Sequence, residues 1–267
     1  MYESQRCLAA VLARCHLHKI RYIDQDGHTA VVKSRRAYGH IAIQLGNFYL
    51  QLQKCGVEIL RNGEWIRWEK AVQNAMDVAD CNQKTELSSG DSHTFTRRHV
   101  PGSSLRDLLK EDRYPEQLKF AAIEWAVDSL CQLHRLHADW GSGVIQSVSH
   151  GDATINNVIV DLPKATWIDF DMRHLPELPE LDRHTDDVRA LVFSAAVFLP
   201  DSSFPRLAEI VIAALTVRGL LERFRERLAN EWMHPDTFQM AQAPLPWYAR
   251  DLLTKLLLVS QQAGHSF

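Results

Sequence analysis

Two short apolar runs near the middle of the chain constrain its fold more than any other feature. They cover residues 158–160 and 167–170, and they flank a turn around Pro163. Apolar runs of this length that are bounded by turn residues predict short buried strands. Asp152, Asn157 and Asp169 then fall at the ends of these strands. The sequence therefore predicts that the three polar side chains lie beside one cleft.

The three side chains are of the types that phosphoryl transfer requires. One carboxylate must orient and deprotonate an acceptor hydroxyl, and oxygen ligands must hold Mg²⁺ on the nucleotide phosphates. Asp152 can be that carboxylate, while Asn157 and Asp169 can be the oxygen ligands. A purely structural role is the alternative, with Asp152 in a turn, Asn157 as a local cap and Asp169 at a strand end.

The spacing of these residues resembles that of the protein-kinase-like superfamily. The sequence H-G-D at 150–152, Asn157 and the D-F-D that begins at Asp169 match the catalytic loop H-x-D-x-x-x-x-N and the metal-binding D-F-G. Gly151 in place of the protein-kinase arginine makes the chain more similar to the small-molecule branch. That branch includes aminoglycoside and choline phosphotransferases and lipopolysaccharide core kinases. The resemblance implies ATP and Mg²⁺ as cofactors, Asp152 as the base, and Asn157 and Asp169 as metal ligands; Asp171 could assist the metal.

The N-terminal third contains a segment that resembles the phosphate-binding strand of kinases. Residues 19–34 hold two strand-like stretches around Asp26-Gly27, which predicts a β-hairpin. The second stretch ends in A-V-V-K at Lys33, similar to the V-A-I-K strand of kinases. The resemblance implies that Lys33 contacts the nucleotide phosphates. A surface lysine at a strand end is the alternative, and the neighbouring Arg35 and Arg36 offer charge only.

Two parts of the kinase pattern are missing near this lysine. Residues 37–54 should form the helix whose glutamate pairs with the lysine, but no Asp or Glu occurs between Lys33 and Glu58. Gln44 or Gln51 could offer an uncharged hydrogen bond instead. The glycine-rich loop is also absent, because residues 22–27 contain one glycine. These gaps favour a weaker positioning of the nucleotide than in an ordinary kinase.

Residues 61–92 carry little signal for function. Trp65, Trp68 and Val72 fall at roughly helical spacing, which predicts packing rather than a ligand site.

The following segment resembles the hinge that joins the two lobes of kinase-like enzymes. Residues 93–97 predict a strand that runs into H-V-P-G-S-S. The resemblance implies that the carbonyl of Arg98 and the N–H of Val100 face the adenine. Ser103 or Ser104 would cap a helix that begins at Leu105. An ordinary Pro-Gly turn is the alternative.

The C-terminal half is predicted to be mainly helical. Residues 115–140 show the apolar periodicity of a long helix, and residues 206–267 read as packing helices. His134, His137 and Asp139 would be polar residues near the end of the long helix, with a metal site as the alternative. A further helix would begin at Asp186 or Asp187, either of which could be its N-cap.

An acidic stretch between these helices bears on the substrate. Glu177, Glu180 and Asp182 could face a polycationic substrate, or they could form an exposed acidic loop.

Composition permits this interpretation and excludes several others. The chain has 267 residues, of which 46% are hydrophobic, enough for a large core. Its net charge of −3 gives no basic field for binding nucleic acid. Five scattered cysteines without a C-x-x-C pair are typical of reduced thiols in a cytoplasmic protein. No apolar run is long enough for a membrane span, which leaves peripheral association open. Residues 1–19 read as an amphipathic helix rather than a signal peptide.

Together these observations predict an α+β, two-lobed protein-kinase-like fold. Residues 1–102 would form a small, mainly β N-lobe, and residues 103–267 a larger, mainly α C-lobe. The predicted partners are a nucleotide and a hydroxyl-bearing acceptor, either a small molecule or a sugar of the lipopolysaccharide type. The alternatives are a pseudokinase that serves as a nucleotide-binding or scaffold module, and an atypical Ser/Thr protein kinase.

Overall fold

The computed structural model describes residues 17–25, 27–79, 88–91, 93–139, 143–230 and 243–259. The predicted helix over residues 1–19 therefore lies almost wholly outside the described residues, as do Asp26 and Cys81. No helix in the described ranges is long and apolar enough to cross a membrane.

The described residues form a mixed α+β fold, as the sequence predicts. The strands are β1 (His18–Gln25), β2 (His28–Arg35), β3 (Val57–Ile59), β4 (Ser88–Asp91), β5 (Thr94–Arg98), β6 (Ser103–Ser104), β7 (His137–Asp139), β8 (Ile145–Ser147), β9 (Val158–Asp161), β10 (Lys164–Trp167) and β11 (Met172–His174). The helices are α1 (Gly39–Leu52), α2 (Asn62–Val78), α3 (Leu105–Lys110), α4 (Glu116–Leu133), α5 (Glu180–Ala196), α6 (Phe204–Arg218), α7 (Leu221–Asn230) and α8 (Trp247–Val259), with a short 3₁₀ turn at Asp201–Ser203.

The chain divides into two compact units, each assembled from three stretches of sequence. The first takes its described residues from Met1–Pro101, Gln132–Asp152 and Ile168–Leu178. The second takes them from Gly102–Cys131, Ala153–Trp167 and Pro179–Phe267. The division into lobes at residue 102 stays a prediction.

The first unit contains an antiparallel sheet in the order β1-β2-β5-β4. The predicted hairpin is confirmed: Gln25 pairs with His28, and Gly27 adopts a φ of +76°, which glycine tolerates best. The second strand continues two residues beyond Lys33, to Arg35. Lys33 therefore lies inside the strand rather than at its end.

The first unit also contains helices α1 and α2 and a two-stranded sheet of β3 and β11. Trp65, Trp68 and Val72 of α2 are buried, as their spacing predicts. The side chain of Asn47 on α1 bonds the N–H and the carbonyl of Ile59 in β3, at 2.7 and 2.9 Å. Strand β3 pairs antiparallel with β11, with Ile59 opposite Met172. Helix α1 is thereby tied to the strand that follows the D-F-D sequence.

The second unit contains a sheet in the order β10-β9-β6 and most of the helices. The predicted cap is confirmed for α3, because the Ser104 hydroxyl accepts a hydrogen bond from the Asp107 N–H at 3.1 Å. Gly102 has a φ of +116°, and a Cβ there would lie 2.3 Å from the carbonyl oxygen of Val160. A glycine is required at that position because the two backbones touch.

The predicted strand over residues 167–170 is wrong in its position. Strand β10 ends at Trp167, and Asp169 has a φ of +71°, which extended backbone does not permit. Asp169 therefore lies in a bend between β10 and β11 rather than at the end of a strand.

Two predicted helix boundaries are also wrong. Helix α4 ends at Leu133, and His137 and Asp139 belong to β7, which pairs with β8. Helix α5 begins at Glu180 after Pro179, whose backbone is extended, so neither Asp186 nor Asp187 starts it. Local periodicity cannot show where a helix gives way to a strand that pairs with a later segment.

Candidate functional site

An ion pair in the first unit joins the buried Lys33 to Asp169, whose side chain is 34% exposed. The ammonium of Lys33, on β2, donates a hydrogen bond to Oδ1 of Asp169 and is 5% exposed. The two residues are 136 positions apart in the sequence. The predicted phosphate lysine and the predicted metal ligand are therefore brought together by the fold.

Glu69 on α2 holds the backbone beside this pair. Its Oε2 accepts a hydrogen bond from the N–H of Phe170 at 3.0 Å, and its side chain is buried. Burial raises the pKa of the Glu69 carboxyl, although attraction to Lys33 opposes the rise. A carboxylate of the second helix thus acts on both the lysine and the Asp169-Phe170 backbone.

Glu69 corrects the expectation that no acidic residue faces Lys33. Gln44 bonds His40 on an exposed face, and Gln51 is exposed, so neither replaces the glutamate. Glu58 pairs with Arg173 at 2.7 Å instead.

The position of Glu69 among the apolar residues of α2 indicates its burial, although no motif in the sequence includes it. Glu69 lies four residues after Trp65 and three before Val72, on the buried face of α2. A charged residue on an otherwise apolar helix face needs a partner in the interior.

A second carboxylate, Asp171, lies next to the first and is tied to His18 and Arg35. Nδ1 of His18 is 3.4 Å from Oδ2 of Asp171. Nε of Arg35 donates to Nε2 of His18 at 3.1 Å, so the imidazole proton is on Nδ1 and faces the carboxylate. The guanidinium of Arg35 lies over the ring of Trp65, 4.8 Å from its centroid.

Burial and the neighbouring charges strongly shift the pKa values of the groups in this cluster. Burial raises the pKa of Asp171 to about 7, with repulsion from Asp169 as the second cause. Burial would also raise the pKa of Asp169, but the attraction of Lys33 outweighs it and lowers the pKa to about 2. Burial opposes a charge on Lys33, yet the attraction of Asp169 and the neighbouring carboxylates raises its pKa. Asp169 and Lys33 are therefore both charged at neutral pH.

The residues present fit a divalent cation that prefers oxygen. The potential ligand atoms of His18, Asp169 and Asp171 lie within 4.8 Å of one another. The described residues contain no other group of this kind. Burial, together with the charge of Lys33, lowers the pKa of His18 to about 2, so the ring is neutral. Its Nδ1 nevertheless carries the proton and cannot ligate a metal as it stands. The two carboxylates remain, and they suit Mg²⁺.

The loop that contains Asp152 is anchored to the same region. Nε2 of His150 donates to the carbonyl of Ile168 at 2.9 Å, and Nδ1 accepts from the N–H of Asp152 at 3.3 Å. The His150 ring also packs on Phe170, with 4.6 Å between the ring centroids. His150 therefore connects the backbone of Asp152 to the segment on which Asp169 lies.

Gly151 is required by the close approach of its loop to another part of the backbone. Its φ is +78°, and a Cβ would lie 2.9 Å from the backbone N and Cα of Arg173. Such a contact excludes any side chain unless the backbone moves. The loop passes directly over the start of β11.

The other predicted site residues lie elsewhere in the two units. Arg98 ends β5, opposite Ala30 of β2, and Val100 follows that strand. Asn157 belongs to the second unit, immediately before β9, where its N–H bonds the carbonyl of Thr154 at 2.9 Å. Their roles toward nucleotide and metal stay predictions.

Asp182 does not belong to an exposed acidic loop. It is 8% exposed on α5, and both of its carboxylate oxygens accept hydrogen bonds from Arg223, at 2.5 and 2.9 Å. Asp182 is thus paired with Arg223 within the second unit.

Comparison with known proteins finds similarity at the level of solved structures. No family model matches the chain, and no curated protein matches it. An Rv3197–erythromycin complex from Mycobacterium tuberculosis is similar at 12% identity and a TM-score of 0.39, over 91% of this chain and 71% of that chain. An ethanolamine kinase of Plasmodium vivax is similar at 8% identity and a TM-score of 0.36, over 91% of this chain and 82% of that chain.

Proposed function

We propose that this chain is a Mg²⁺- and ATP-dependent phosphotransferase that phosphorylates a hydroxyl group. The observation that carries the proposal is the cluster of the buried Lys33 and Glu69 with the partly exposed Asp169. These are a lysine on a strand, a glutamate on a helix and an aspartate at a strained bend, the three charges that hold nucleotide phosphates and their metal in kinase-like enzymes. The H-x-D-x-x-x-x-N spacing upstream supplies the rest of the pattern.

Each residue has a distinct role in the proposed reaction. Lys33 offers a fixed positive charge to the phosphates, and Glu69 holds that charge and the Asp169-Phe170 backbone in place. Asp169 and Asp171 would hold Mg²⁺, with Asn157 as a further ligand from the motif. The metal would neutralise charge on the phosphates when bound. Asp152 would orient the acceptor hydroxyl and take its proton.

The strained backbone of Asp169 fits a functional bend. A non-glycine residue with a φ of +71° costs of order 1–3 kcal/mol and persists where its surroundings hold it. Here the Lys33 ammonium bonds the Asp169 side chain, and the Glu69 carboxylate and the His150 ring hold the adjacent Phe170. Such outliers concentrate at active sites.

The finer parts of the proposal extend the sequence prediction. The fold would be the two-lobed protein-kinase-like one, with the adenine against the backbone of Arg98 and Val100. The acceptor would be a small molecule or a sugar of the lipopolysaccharide type. Since Asp182 is paired with Arg223, recognition of a polycation would fall to Glu177 or Glu180.

Transfer of the γ-phosphate to a panel of hydroxyl compounds tests the proposal. We expect ATP consumption with one acceptor class, and its loss in Asp152→Asn with ATP binding retained. The Asp169→Asn variant should lose the Mg²⁺-dependent part of ATP binding. Undiminished turnover in Asp152→Asn would remove this residue as the base.

A pseudokinase is the second candidate, and one observation favours it. Gln25 and His28 are paired, so a two-residue turn joins β1 and β2 and leaves no extended loop to cover phosphates. A thermal shift with ATP and Mg²⁺ separates three cases. Binding at about 100 times Kd stabilises by about 2.7 kcal/mol. A shift without transfer to any acceptor indicates a nucleotide-binding module. No shift contradicts the ATP-dependent function and leaves a scaffold module.

A further inference from the structure

A hydrogen bond between two buried side chains joins the residue before the H-G-D sequence to strand β11. Oγ of Ser149 lies 3.0 Å from Nδ1 of His174, and the two residues are 0% and 1% exposed. A polar group that is buried this deeply depends on its hydrogen-bond partner, because losing it costs the full desolvation of the group. Ser149 and His174 both lie outside the H-x-D-x-x-x-x-N and D-F-D sequences. The fold thus adds an anchor to this loop that the motifs do not contain.

A backbone contact holds the same loop against the neighbouring residue of β11. At Gly151 a Cβ would lie 2.9 Å from the backbone N and Cα of Arg173. Ser149 and Gly151 thus contact two successive residues of the strand, His174 and Arg173. Two contacts at neighbouring points restrict both the distance and the direction of the loop. Because Asp152 directly follows Gly151, the backbone of Asp152 starts from a fixed position.

Strand β11 is itself held by β3, and it directly follows the D-F-D sequence. The two strands pair along all three residues of β11, and the N–H of Leu175 donates to the carbonyl of Gly56 at 2.9 Å. The strand begins directly after Asp171 and ends at His174. One short strand therefore continues from the carboxylates of the D-F-D sequence at its start and anchors the loop of Asp152 at its end. All of these residues belong to the first unit.

We propose that Ser149 and His174 are positioning residues, which hold Asp152 at a fixed place relative to Asp169 and Asp171. This role rests on the proposed function, because that function assigns Asp152 to the acceptor hydroxyl and the other two carboxylates to Mg²⁺. Phosphoryl transfer depends almost entirely on such positioning, since the attacking and leaving oxygens must lie roughly in line. A displacement of about 1 Å in a site of this kind lowers the rate about a hundredfold. Ser149 and His174 act through Asp152 and touch no substrate.

Three single variants separate this role from a purely structural one. Ser149→Ala and His174→Phe remove the hydrogen bond. His174→Asn can keep it, because the Asn amide can present either its N–H or its oxygen to the Ser149 hydroxyl. We expect kcat for phosphate transfer to fall at least about tenfold in the first two variants, while the Kd for ATP with Mg²⁺ changes less than about twofold. His174→Asn should recover most of the lost kcat.

The double variant Ser149→Ala/His174→Phe tests whether the two residues act as one unit. Its kcat should be no lower than that of the more affected single variant, since the same bond is lost in all three. Ser203→Ala is the matched control, because it removes a buried serine hydroxyl that donates to Glu116 at 2.7 Å in the second unit. We expect Ser203→Ala to leave kcat unchanged. Losses that multiply in the double variant, or an unchanged kcat in the folded single variants, would overturn the proposal.

Amide exchange measures the anchor without the reaction. The N–H of Asp152 donates to Nδ1 of His150 at 3.3 Å, so release of the loop should expose this amide. We expect the amides of residues 150–152 to exchange at least about tenfold faster in Ser149→Ala than in Ser203→Ala. Equal exchange in the two variants would contradict the anchor itself. Absence of transfer by the unaltered chain would instead contradict the proposed function, so the two failures are distinguishable.

Discussion

Glu69 is the residue on which the charge balance of the buried cluster depends. Lys33 and Arg35 face three carboxylates there, those of Glu69, Asp169 and Asp171. Glu69 also satisfies the N–H of Phe170, which lies in the same interior. Its removal therefore changes both a charge and a backbone hydrogen bond, and two substitutions can separate the two effects.

We predict that Glu69→Ala destabilises the protein by about 1–3 kcal/mol, because it leaves the buried Phe170 N–H without an acceptor. Glu69→Gln should cost less, since its amide oxygen can still accept that bond. Both variants should weaken ATP binding, because Lys33 loses the carboxylate that would hold its ammonium in position for the phosphates. Denaturant unfolding and nucleotide titration measure the two effects. Equal stability of Glu69→Ala and Glu69→Gln would show that the hydrogen bond contributes nothing.

The close backbone approach at Gly151 gives a second prediction at this scale. Gly151→Ala should destabilise by more than Gly27→Ala, although both glycines have a φ near +77°. Gly27 has open space around its missing Cβ, so Ala there suffers backbone strain of order 1 kcal/mol. At Gly151 the added methyl group also meets the backbone of Arg173. Unfolding free energies of the two variants make the comparison, and equal losses would contradict the contact.

At the scale of elements, Asp182 joins two helices of the second unit. It belongs to the first turn of α5, and its carboxylate accepts two hydrogen bonds from Arg223 on α7. These hydrogen bonds lower the pKa of Asp182 below its ordinary value. The pairing of α5 with α7 therefore depends on pH.

The sign of this dependence follows from the direction of the shift. Because the folded pKa lies below the unfolded value of about 3.8, the unfolded state binds more protons in that range, and stability falls as the pH falls. We predict that Asp182→Asn costs about 1–3 kcal/mol at neutral pH. The destabilisation by Asp182→Asn should disappear when the pH falls below the pKa of Asp182 in the folded protein. Unfolding curves across that range measure it, and Glu226→Gln, which removes an exposed partner of Arg223, is the control. A cost that is constant with pH would exclude the ion pair as its source.

Elements whose signals are local could be predicted from the sequence, and elements that depend on distant pairing could not. The Gly27 turn, the Ser104 cap and the buried face of α2 each follow from residues within one turn of one another. Strands β7 and β11 have three residues each. Strand β11 pairs with the distant β3, and β7 pairs with β8, the next strand along the chain. No local pattern distinguishes such short strands from their surroundings, which is why the apolar periodicity of residues 115–140 predicts a helix that continues through β7.

The same distinction applies to the candidate site. Lys33 and Asp169 could be named from short motifs, because their neighbours in sequence resemble those of a known family. Glu69 could not, since its role depends on how α2 packs against the Asp169 bend. His18 and Arg35 act on Asp171 from paired positions at the open end of the β1–β2 hairpin, a relation that only the register of the two strands reveals.

At the scale of the whole molecule, the first unit is discontinuous in sequence. Strand β3 obtains its partner β11 from Ile168–Leu178, and α2 packs on β7 from Gln132–Asp152. Lys33 likewise obtains its counter-ion, Asp169, from Ile168–Leu178. The stability of the N-terminal hundred residues therefore depends on residues that follow much later.

We accordingly predict that a fragment of residues 1–101 does not fold on its own. Without Asp169 its Lys33 would be a buried ammonium that has lost its direct counter-ion, and an unpaired buried charge is strongly destabilising. Strand β3 would have no β11 to pair with, and α2 would expose the face that packs on β7. Circular dichroism of the fragment during thermal unfolding should lack the cooperative transition that the full chain shows. A cooperative transition in the fragment would mean that the sheet of β1, β2, β4 and β5 with α1 and α2 is sufficient, and that the ion pair is dispensable for folding.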